Sequence, residues 1–411
     1  MSTLHLTRRV KALVPMYAQR FSCIGASCED SCCSGWKVTI DRKTFNAYRQ
    51  SQNPRLEKRL NDKVKRIRSQ ASDRNYARMD MNEETGECPM MEEKLCGIQK
   101  ELGEDKLSHT CSIYPRTTVD VGGYLQQALT LSCPEAARLA LLSNDAFQFS
   151  ESEITVRPET ITQLNTRFGL NLDSMSEIRF FCIQIIRDER FQIWQKLAFL
   201  GLFCETLSAA LKTGRQKFVN VIEDMKGLMD CGQTEQLFNQ MQPQYDIQAV
   251  TYIMLWRSKS NFGSSKSQRL INESIIHGLG IDPTTGQVDE KNLAERYQSG
   301  IQKLSLALES APLLLENYIL NELIHENFPF ELDTPNEHYI RLITRFGMVR
   351  FMMAAQCNDD NALPSPETLA QTVQTFCRIY QHDSMFATNV NNCFHKSGWD
   401  SLDKIFKFIK T

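Results

Sequence analysis

The sequence contains no long hydrophobic run. The chain has 411 residues, of which 42% are hydrophobic and 23% are charged, and both values are ordinary for a globular protein. No stretch approaches the ~20 apolar residues that a membrane-spanning helix needs. Arg8, Arg9 and Lys11 are followed only by Ala12-Leu13-Val14 before Pro15, which is too short for the apolar part of a signal peptide. We therefore expect a cytoplasmic protein with no membrane insertion.

Several catalytic and nucleotide-binding motifs are also missing. There is no P-loop and no nucleophile elbow, and Gly278-Leu279-Gly280 lacks the third glycine of a dinucleotide fingerprint. We expect that segment to be a loop. The Cys-x3-Cys-x2-Cys spacing of radical enzymes that cleave S-adenosylmethionine is absent as well. Cys28 and Cys32 match its first half, but position 35 is glycine.

No part of the chain carries a strong excess of one charge. Residues 1–133 hold 21 Lys and Arg against 16 Asp and Glu, a net of +5, and the remainder has a net of −7. Neither value reaches the charge density of a dedicated nucleic-acid binder, so we expect no nucleic-acid partner. The basic segment 55–68 is predicted to be helical. It is either a solvated helix face or an electrostatic handle for an acidic partner.

Cysteine, by contrast, is abundant and unevenly placed. Eight of the fourteen cysteines fall in the first 133 residues: Cys23, Cys28, Cys32, Cys33, Cys88, Cys96, Cys111 and Cys133. A cytoplasmic protein keeps its thiols reduced. Thiolates are soft ligands that select zinc or iron–sulfur clusters, and such sites need about four of them. The pattern therefore favours a metal site over disulfides or buried free thiols, and it leaves zinc and iron–sulfur open.

The ligands of such a site cannot be narrowed to four from spacing. Cys32 and Cys33 are adjacent and would point in different directions in an extended backbone, so we expect only one of them on a given cluster. His109 lies two residues before Cys111 and is a further possible zinc ligand, although a lone histidine is more often a surface or core residue. Arg116, just after Cys111, either follows a turn or brings a guanidinium beside the cluster to grip a carboxylate.

The first 140 residues are predicted to form a cysteine-rich metal-binding region of mixed α+β structure. Residues 1–35 should be mostly irregular and residues 36–40 a short strand, after which Asp41 caps a helix to about Gln50. Residues 117–131 read as a β-hairpin around Gly122-Gly123. Ser132 is expected to cap the next helix. Cys133 would then lie in its first turn, where a thiol has a lowered pKa.

Residues 141–411 are predicted to be mainly helical, which makes the whole fold mainly α. Apolar residues recur at helical spacing from about residue 175, for example at Ile178, Phe181, Cys182, Ile185 and Ile186. Glycine and proline between 278 and 290 mark a possible subdivision.

Segments throughout the chain resemble the flagellin lysine N-methylases. The resemblance is carried by residues 13–36, Cys111-x-x-Tyr114-Pro115-Arg116, Leu131-Ser132-Cys133-Pro134-Glu135, Arg179-Phe180-Phe181-Cys182, residues 200–204 and residues 316–330. The N-terminal part also resembles the wider group of zinc- or iron-chelating cysteine-cluster proteins, a group that is only weakly specific for function. The resemblance to the methylases covers most of the chain and is more specific.

The resemblance implies methyl transfer from S-adenosylmethionine to lysine amines of flagellin by an enzyme with a [4Fe–4S] cluster. Because the transfer is polar, the cluster would bind or position the cofactor rather than generate a radical, or it would be structural. In the first case Arg116 is a plausible second contact to the cofactor carboxylate. No general base can be named from the sequence. The alternative functions are a non-catalytic zinc- or iron-binding interaction module and a metal carrier.

Overall fold

Helices dominate the structure, with 56% of the residues against 11% in strands, which confirms the predicted mainly α fold. The structure is a computed structural model, and it describes residues 4–164, 166–213, 218–259, 265–358 and 362–411.

The strands found among the described residues are short and lie before residue 164. They are β1 (Arg8–Pro15), β2 (Thr39–Ile40), β3 (Val64–Arg66), β4 (Ala77–Met79), β5 (Met91–Glu92), β6 (Leu95–Cys96), β7 (Arg116–Asp120), β8 (Leu125–Leu129), β9 (Phe149–Val156) and β10 (Thr162–Gln163). Five of them form a sheet in the order β10-β7-β8-β1-β9. In this sheet β1 runs parallel to β8 and antiparallel to β9. The other strands form a three-stranded sheet, β2-β4-β3, and the hairpin β5-β6.

The first six helices are interleaved with these strands, and the other twelve follow them. They are α1 (Met16–Gln19), α2 (Arg42–Arg49), α3 (Glu57–Lys63), α4 (Gly97–Leu102), α5 (His109–Ile113), α6 (Pro134–Leu142), α7 (Leu172–Arg187), α8 (Ile193–Lys212), α9 (Phe218–Asp230), α10 (Gln233–Gln240), α11 (Tyr245–Arg257), α12 (Lys266–Leu279), α13 (Glu290–Ala307), α14 (Leu314–His325), α15 (Pro335–Gln356), α16 (Pro366–Phe376), α17 (Ser384–Ser397) and α18 (Leu402–Ile409).

The structure has two apolar cores, and the cysteine-rich region contributes to both of them. The smaller core lies between α2, α3 and the β2-β4-β3 sheet, with Tyr48, Leu60 and Val64 among its buried residues. The larger core joins the five-stranded sheet to α6 and to the helices that follow. The boundary near residue 140 stays a prediction, although β9 and β10 pair with strands that precede it.

The long helix α15 forms the centre of the helical part. It is buried almost throughout its length, as expected for a helix that neighbours surround on every side. Two glycines let other helices approach it. A Cβ atom at Gly278 of α12 would overlap the Ala355 carbonyl, and one at Gly300 of α13 would overlap the Ala354 carbonyl.

Local sequence signals predicted some elements well. Asp41 caps α2 by accepting a hydrogen bond from the Thr44 amide at 3.0 Å. The hairpin predicted around Gly122-Gly123 forms from β7 and β8, with Asp120 opposite Leu125. Both segments depend on side chains or turns close in sequence, and such signals are strong.

Other predictions were wrong where tertiary contacts decide. Residues 1–35 are not mostly irregular, because residues 8–15 form β1, which pairs along its whole length with β9. The predicted helix over 55–68 is shortened to α3, and its end becomes β3, which pairs with β4. Gly278 lies in α12 and Gly280 ends that helix in the left-handed conformation, so the segment is a helix end rather than an extended loop.

Candidate metal centre and the adjoining cavity

The cysteine loop, residues 23–36, is hydrogen-bonded to a second chain segment. Cys28 follows a single 3₁₀ turn formed by Gly25–Ser27, and Cys32 and Cys33 lie in a turn. The Cys33 carbonyl accepts a hydrogen bond from the Cys88 amide at 2.7 Å. Cys88 is thereby fixed against the loop, although 55 positions separate it from Cys33 in the sequence.

The remaining cysteines of this region lie at the ends of short helices or within them. Cys96 precedes α4, Cys111 lies within α5, and Cys133 is the residue before the first turn of α6. The helix cap of α6 is therefore Cys133, and the predicted cap Ser132 is off by one residue. The Ser132 hydroxyl instead lies within hydrogen-bond distance of His382 and Tyr114.

Seven thiols influence one another electrostatically, and we call them the thiol cluster: Cys28, Cys32, Cys33, Cys88, Cys96, Cys111 and Cys133. Cys23 is exposed, as are Cys32 and Cys111, but it is not among the main influences on any of these seven thiols. The structure therefore brings together seven of the eight predicted ligands.

The centre of the thiol cluster is Cys33, whose single S–H can donate to the sulfur of either Cys32 or Cys96. These bonds lower the pKa of Cys32 to about 7 and that of Cys96 to about 6. They also raise the pKa of Cys33 strongly. Either neighbour can thus be a thiolate near neutral pH, the form that binds metal. Cys32 and Cys33 do not diverge as an extended backbone would require, because they occupy a turn.

Cys133 does not have the activated thiol that its helix position predicts. Burial raises its pKa to about 12, although the amides of Glu135 and Ala136 donate hydrogen bonds that act in the opposite direction. Desolvation disfavours the charged form of a thiol, and here it outweighs the helix terminus. A bound cation is the kind of partner that would reverse this balance.

The cysteine loop is anchored to the distant helical part by Asp30 and Arg378. The Asp30 side chain is buried, and its carboxylate lies 3.4 Å from Nε of Arg378. Arg378 also donates to the carbonyl oxygens of Ser31 and Ser34, each at 2.7 Å. Its positive charge further lowers the pKa of Cys32. Gln374 reinforces the contact by donating to Asp30 at 2.9 Å.

Sequence reasoning missed Arg378 and Asp30. Arg378 lies in a single π-helical turn after α16, in a segment with no cysteine pattern and 348 residues from Asp30. The one available signal was Asp30 itself, an acidic residue inside a loop of metal-binding type.

Arg116 lies at the start of β7 and lines a cavity of about 720 Å³. The wall of this cavity includes Ser112 and Ile113 of α5, the helix that carries Cys111, and residues 152–157 at the end of β9. The Arg116 guanidinium stacks 5.1 Å from the Phe21 ring. Among the described residues it has no hydrogen-bond or ion-pair partner. Its donor groups are therefore available to a ligand.

The acidic residues near Cys88 do not form a shared pocket. Glu92 is paired with Arg59. The other acidic residues close to Cys88 in the sequence line none of the cavities found among the described residues: Glu83, Glu84, Glu87 and Glu93. The pair with Arg59 lowers the pKa of Glu92, which weakens it as a proton acceptor.

His109 does not join the thiols as the sequence suggested it could. It is the first residue of α5, two positions before Cys111, and residues two apart lie on different sides of a helix. Its Nε2 atom lies 3.8 Å from Oδ2 of Asp41 instead. A site built from Cys111 and His109 together is thus not supported by the geometry.

Comparisons with known proteins agree with the resemblance. A family model described as the FliB lysine N-methylase C-terminal domain matches residues 179–408. The chain is similar to proteins named lysine-N-methylase from Salmonella typhimurium and Salmonella choleraesuis, each 22% identical over 410 residues and 95% of both chains. It is also 31% identical over 147 residues to the flagellar biosynthetic protein FliU of Salmonella muenchen, covering 36% of this chain and 86% of FliU. No solved structure matches the chain. Within the described residues, no helix has both the length and the apolarity to cross a membrane.

Proposed function

Because this chain belongs to the FliB lysine N-methylase family, whose members are methyltransferases, we propose that it transfers methyl groups from S-adenosylmethionine to lysine side chains of flagellin. The similarity to proteins named lysine-N-methylase extends over 95% of the chain. The similarity to a protein named for flagellar biosynthesis supports flagellin as the substrate. The observation that carries the cofactor proposal is the cavity beside α5, with the unpaired Arg116 in its wall.

The cavity suits a cofactor of this size and charge. Its volume of about 720 Å³ lies within the range of roughly 300–1,000 Å³ typical of small-molecule sites. S-Adenosylmethionine carries an amino-acid carboxylate, which a guanidinium recognises through two parallel hydrogen bonds. Phe21 stacks against one face of the Arg116 guanidinium. The planar group is therefore already oriented, and little side-chain entropy is lost on binding.

The reaction demands a neutral lysine amine. A lysine side chain has a pKa of about 10.4, so only about one in a thousand is unprotonated at neutral pH. Burial of the target amine between flagellin and the enzyme would lower this pKa. The amine lone pair then forms the new N–C bond while the methyl–sulfur bond breaks, and the sulfonium becomes a neutral thioether. The proton from the nitrogen passes to a base or to water.

The chemistry of the thiol cluster fits a [4Fe–4S] cluster better than a preformed zinc site. Four thiolates on one zinc ion, with Zn–S distances of about 2.3 Å, would lie roughly 3.8 Å from one another. Among the described residues no three thiols lie within 4.8 Å of one another, whereas a larger cluster holds its thiolates further apart. When bound, such a cluster would supply an iron atom that the amino and carboxylate groups of the cofactor could chelate, or it would serve only as a structural centre. Cys32 and Cys96 are the first candidates for its ligands, since theirs are the thiol pKa values that lie near neutrality.

One experiment tests the activity directly. Protein purified without oxygen is mixed with S-adenosylmethionine and flagellin, and the mass of flagellin is measured. We expect mass increments of one or more methyl groups, and a brown protein that contains iron. A colourless protein with stoichiometric zinc and no change in flagellin mass would contradict the proposal and support the interaction module or metal carrier.

The role of Arg116 is tested by cofactor binding. Losing a desolvated charged hydrogen-bond partner costs about 2–5 kcal/mol, so Arg116→Ala should weaken S-adenosylmethionine binding by well over tenfold at unchanged iron content. Arg66→Ala is the matched control, because Arg66 also stacks on an aromatic ring, Tyr76, at 5.0 Å and lines no described cavity. Equal affinities in both variants would remove Arg116 from the cofactor site.

A further inference from the structure

A second group of metal-ligating side chains lies apart from the thiol cluster. His5, Asp41 and His109 come from three distant segments, and one ligand atom of each lies within 4.8 Å of the other two. Nε2 of His5 lies 4.0 Å and Nε2 of His109 lies 3.8 Å from Oδ2 of Asp41. His5 is fully buried, while 20% of the His109 side chain is exposed. Within the described residues this is the only such group of three.

The distances are close to those of a bound ion. Metal–nitrogen and metal–oxygen bonds of about 2.1 Å at octahedral or tetrahedral angles separate ligand atoms by roughly 3.0–3.4 Å. The observed separations from Asp41, 3.8 and 4.0 Å, exceed this range by about 0.4–1.0 Å, which rotations of the two imidazole rings would remove. Two histidines and one carboxylate are a donor set of zinc and non-haem iron(II) sites, which keep positions open for water or another ligand.

The carboxylate is already oriented by a neighbouring residue. Thr44 donates its amide to Oδ1 of Asp41 at 3.0 Å and its hydroxyl to Oδ2 at 2.7 Å. The same hydroxyl lies 2.9 Å from Nε2 of His5. The contacts of Thr44 with Asp41 are typical of a ligating carboxylate, whereas a metal ion on Nε2 of His5 would replace the contact between that atom and the hydroxyl. Nδ1 of His5 and Nδ1 of His109 are buried without a hydrogen-bond partner, so within the described residues each ring makes its polar contacts through Nε2.

The protonation states also suit metal binding. Burial lowers the pKa of both histidines, which keeps their rings neutral. Burial alone would raise the pKa of Asp41, but its hydrogen bonds with Thr44 and the nearby histidines hold the pKa below its ordinary value. The positive charge of Arg157 disfavours a cation at this site, whereas the negative charges of Asp105 and Glu159 favour one. Neutral imidazoles and an ionised carboxylate are the forms that bind metal.

We propose that His5, Asp41 and His109 bind one divalent transition-metal ion of the zinc or iron(II) class, separately from the thiol cluster. The ion would join the segment before β1 to the first residues of α2 and α5. Because α5 carries Cys111 and lines the cavity with Arg116, the site would fix the position of both. The proposal does not depend on the methyltransferase activity, since its tests measure metal binding alone.

Cobalt(II) is the probe, because its spectra report the type of ligand. The full-length protein, purified without oxygen, is titrated with cobalt(II). We expect one equivalent to bind with the weak visible bands of nitrogen and oxygen ligands and without the intense near-ultraviolet band of cobalt–thiolate bonds. Proton NMR of the complex should show two paramagnetically shifted, exchangeable ring N–H signals, one for each histidine. Absence of these two signals in the wild-type protein would overturn the proposal without any variant.

Substitutions then identify the ligands. His5→Gln and His109→Gln should each weaken binding of this equivalent by at least about 100-fold, since even outer contacts of a metal site contribute 10–100-fold. The matched control is His395→Gln, because His395 is exposed and lies in α17. Variants that bind this cobalt(II) equivalent as tightly as the control would also refute the site. His109 is partly exposed, so its variant tests the proposal even if His5→Gln fails to fold.

Discussion

Removing the Arg378 guanidinium should release the cysteine loop from the helical part of the protein. In the wild-type protein Arg378 donates to the Ser31 and Ser34 carbonyl groups and lies against the buried Asp30 carboxylate. Breaking one partner of a buried ion pair typically costs about 3–5 kcal/mol. We expect the lower end for Arg378→Ala, about 3 kcal/mol, because Gln374 and Gln268 continue to donate to Asp30.

Hydrogen exchange followed by mass spectrometry measures this loss locally. A decrease of about 3 kcal/mol in the free energy of opening corresponds to roughly 100-fold faster exchange. The affected peptides are those covering the cysteine loop and residues 86–88, whose backbone hydrogen bonds join the two segments. Peptides of the central helix α15 should exchange at the wild-type rate.

Arg138→Ala is the matched control. Arg138 pairs with Glu29, the residue next to Asp30, but both side chains are one-third exposed. An exposed pair of this kind contributes at most about 1 kcal/mol, so this variant should change exchange by less than tenfold. If Arg378→Ala leaves the loop as protected as Arg138→Ala does, the loop is held by its own contacts and the anchoring argument fails.

Three further predictions concern stability and metal content. Gly300→Ala should destabilise the protein by at least about 1 kcal/mol, because the added methyl would overlap the Ala354 carbonyl; an unchanged Tm would show that α13 can shift. His338 is fully buried, and burial is the main reason that its pKa lies well below the ordinary value. Below about pH 6.5 the unfolded chain therefore binds more protons than the folded one, and the free energy of unfolding should fall by up to about 1.4 kcal/mol per pH unit. His338→Gln should remove that part of the slope in urea unfolding, and an identical slope in both proteins would refute it. Cys32→Ser should lower the iron content, whereas Ser at the buried Cys182 should not, and equal iron in both would exclude Cys32 as a ligand.

The eight N-terminal cysteines and the short elements next to them could be predicted from the sequence. The thiols of residues 28–33 are close because few bonds separate them, and the caps and turns around Asp41 and Gly122 depend on neighbouring residues. Seven of the eight predicted ligands lie together, but which of them bind a metal stays a prediction. Cys23 could not be set apart from them, since spacing says nothing about the direction of a side chain.

Tertiary structure alone decided the surroundings of the thiols. Arg378 meets Asp30 because a turn after α16 packs against the cysteine loop, a contact between residues 348 positions apart. Arg116 faces a cavity because β1, β7 and β9 share one sheet. His109 meets Asp41 because α5 packs against β2, the strand that ends just before Asp41. Sequence spacing determines which groups are available within a few residues. Long-range packing and burial determine which of them meet, and at what protonation state, because desolvation and charge act through space rather than along the chain.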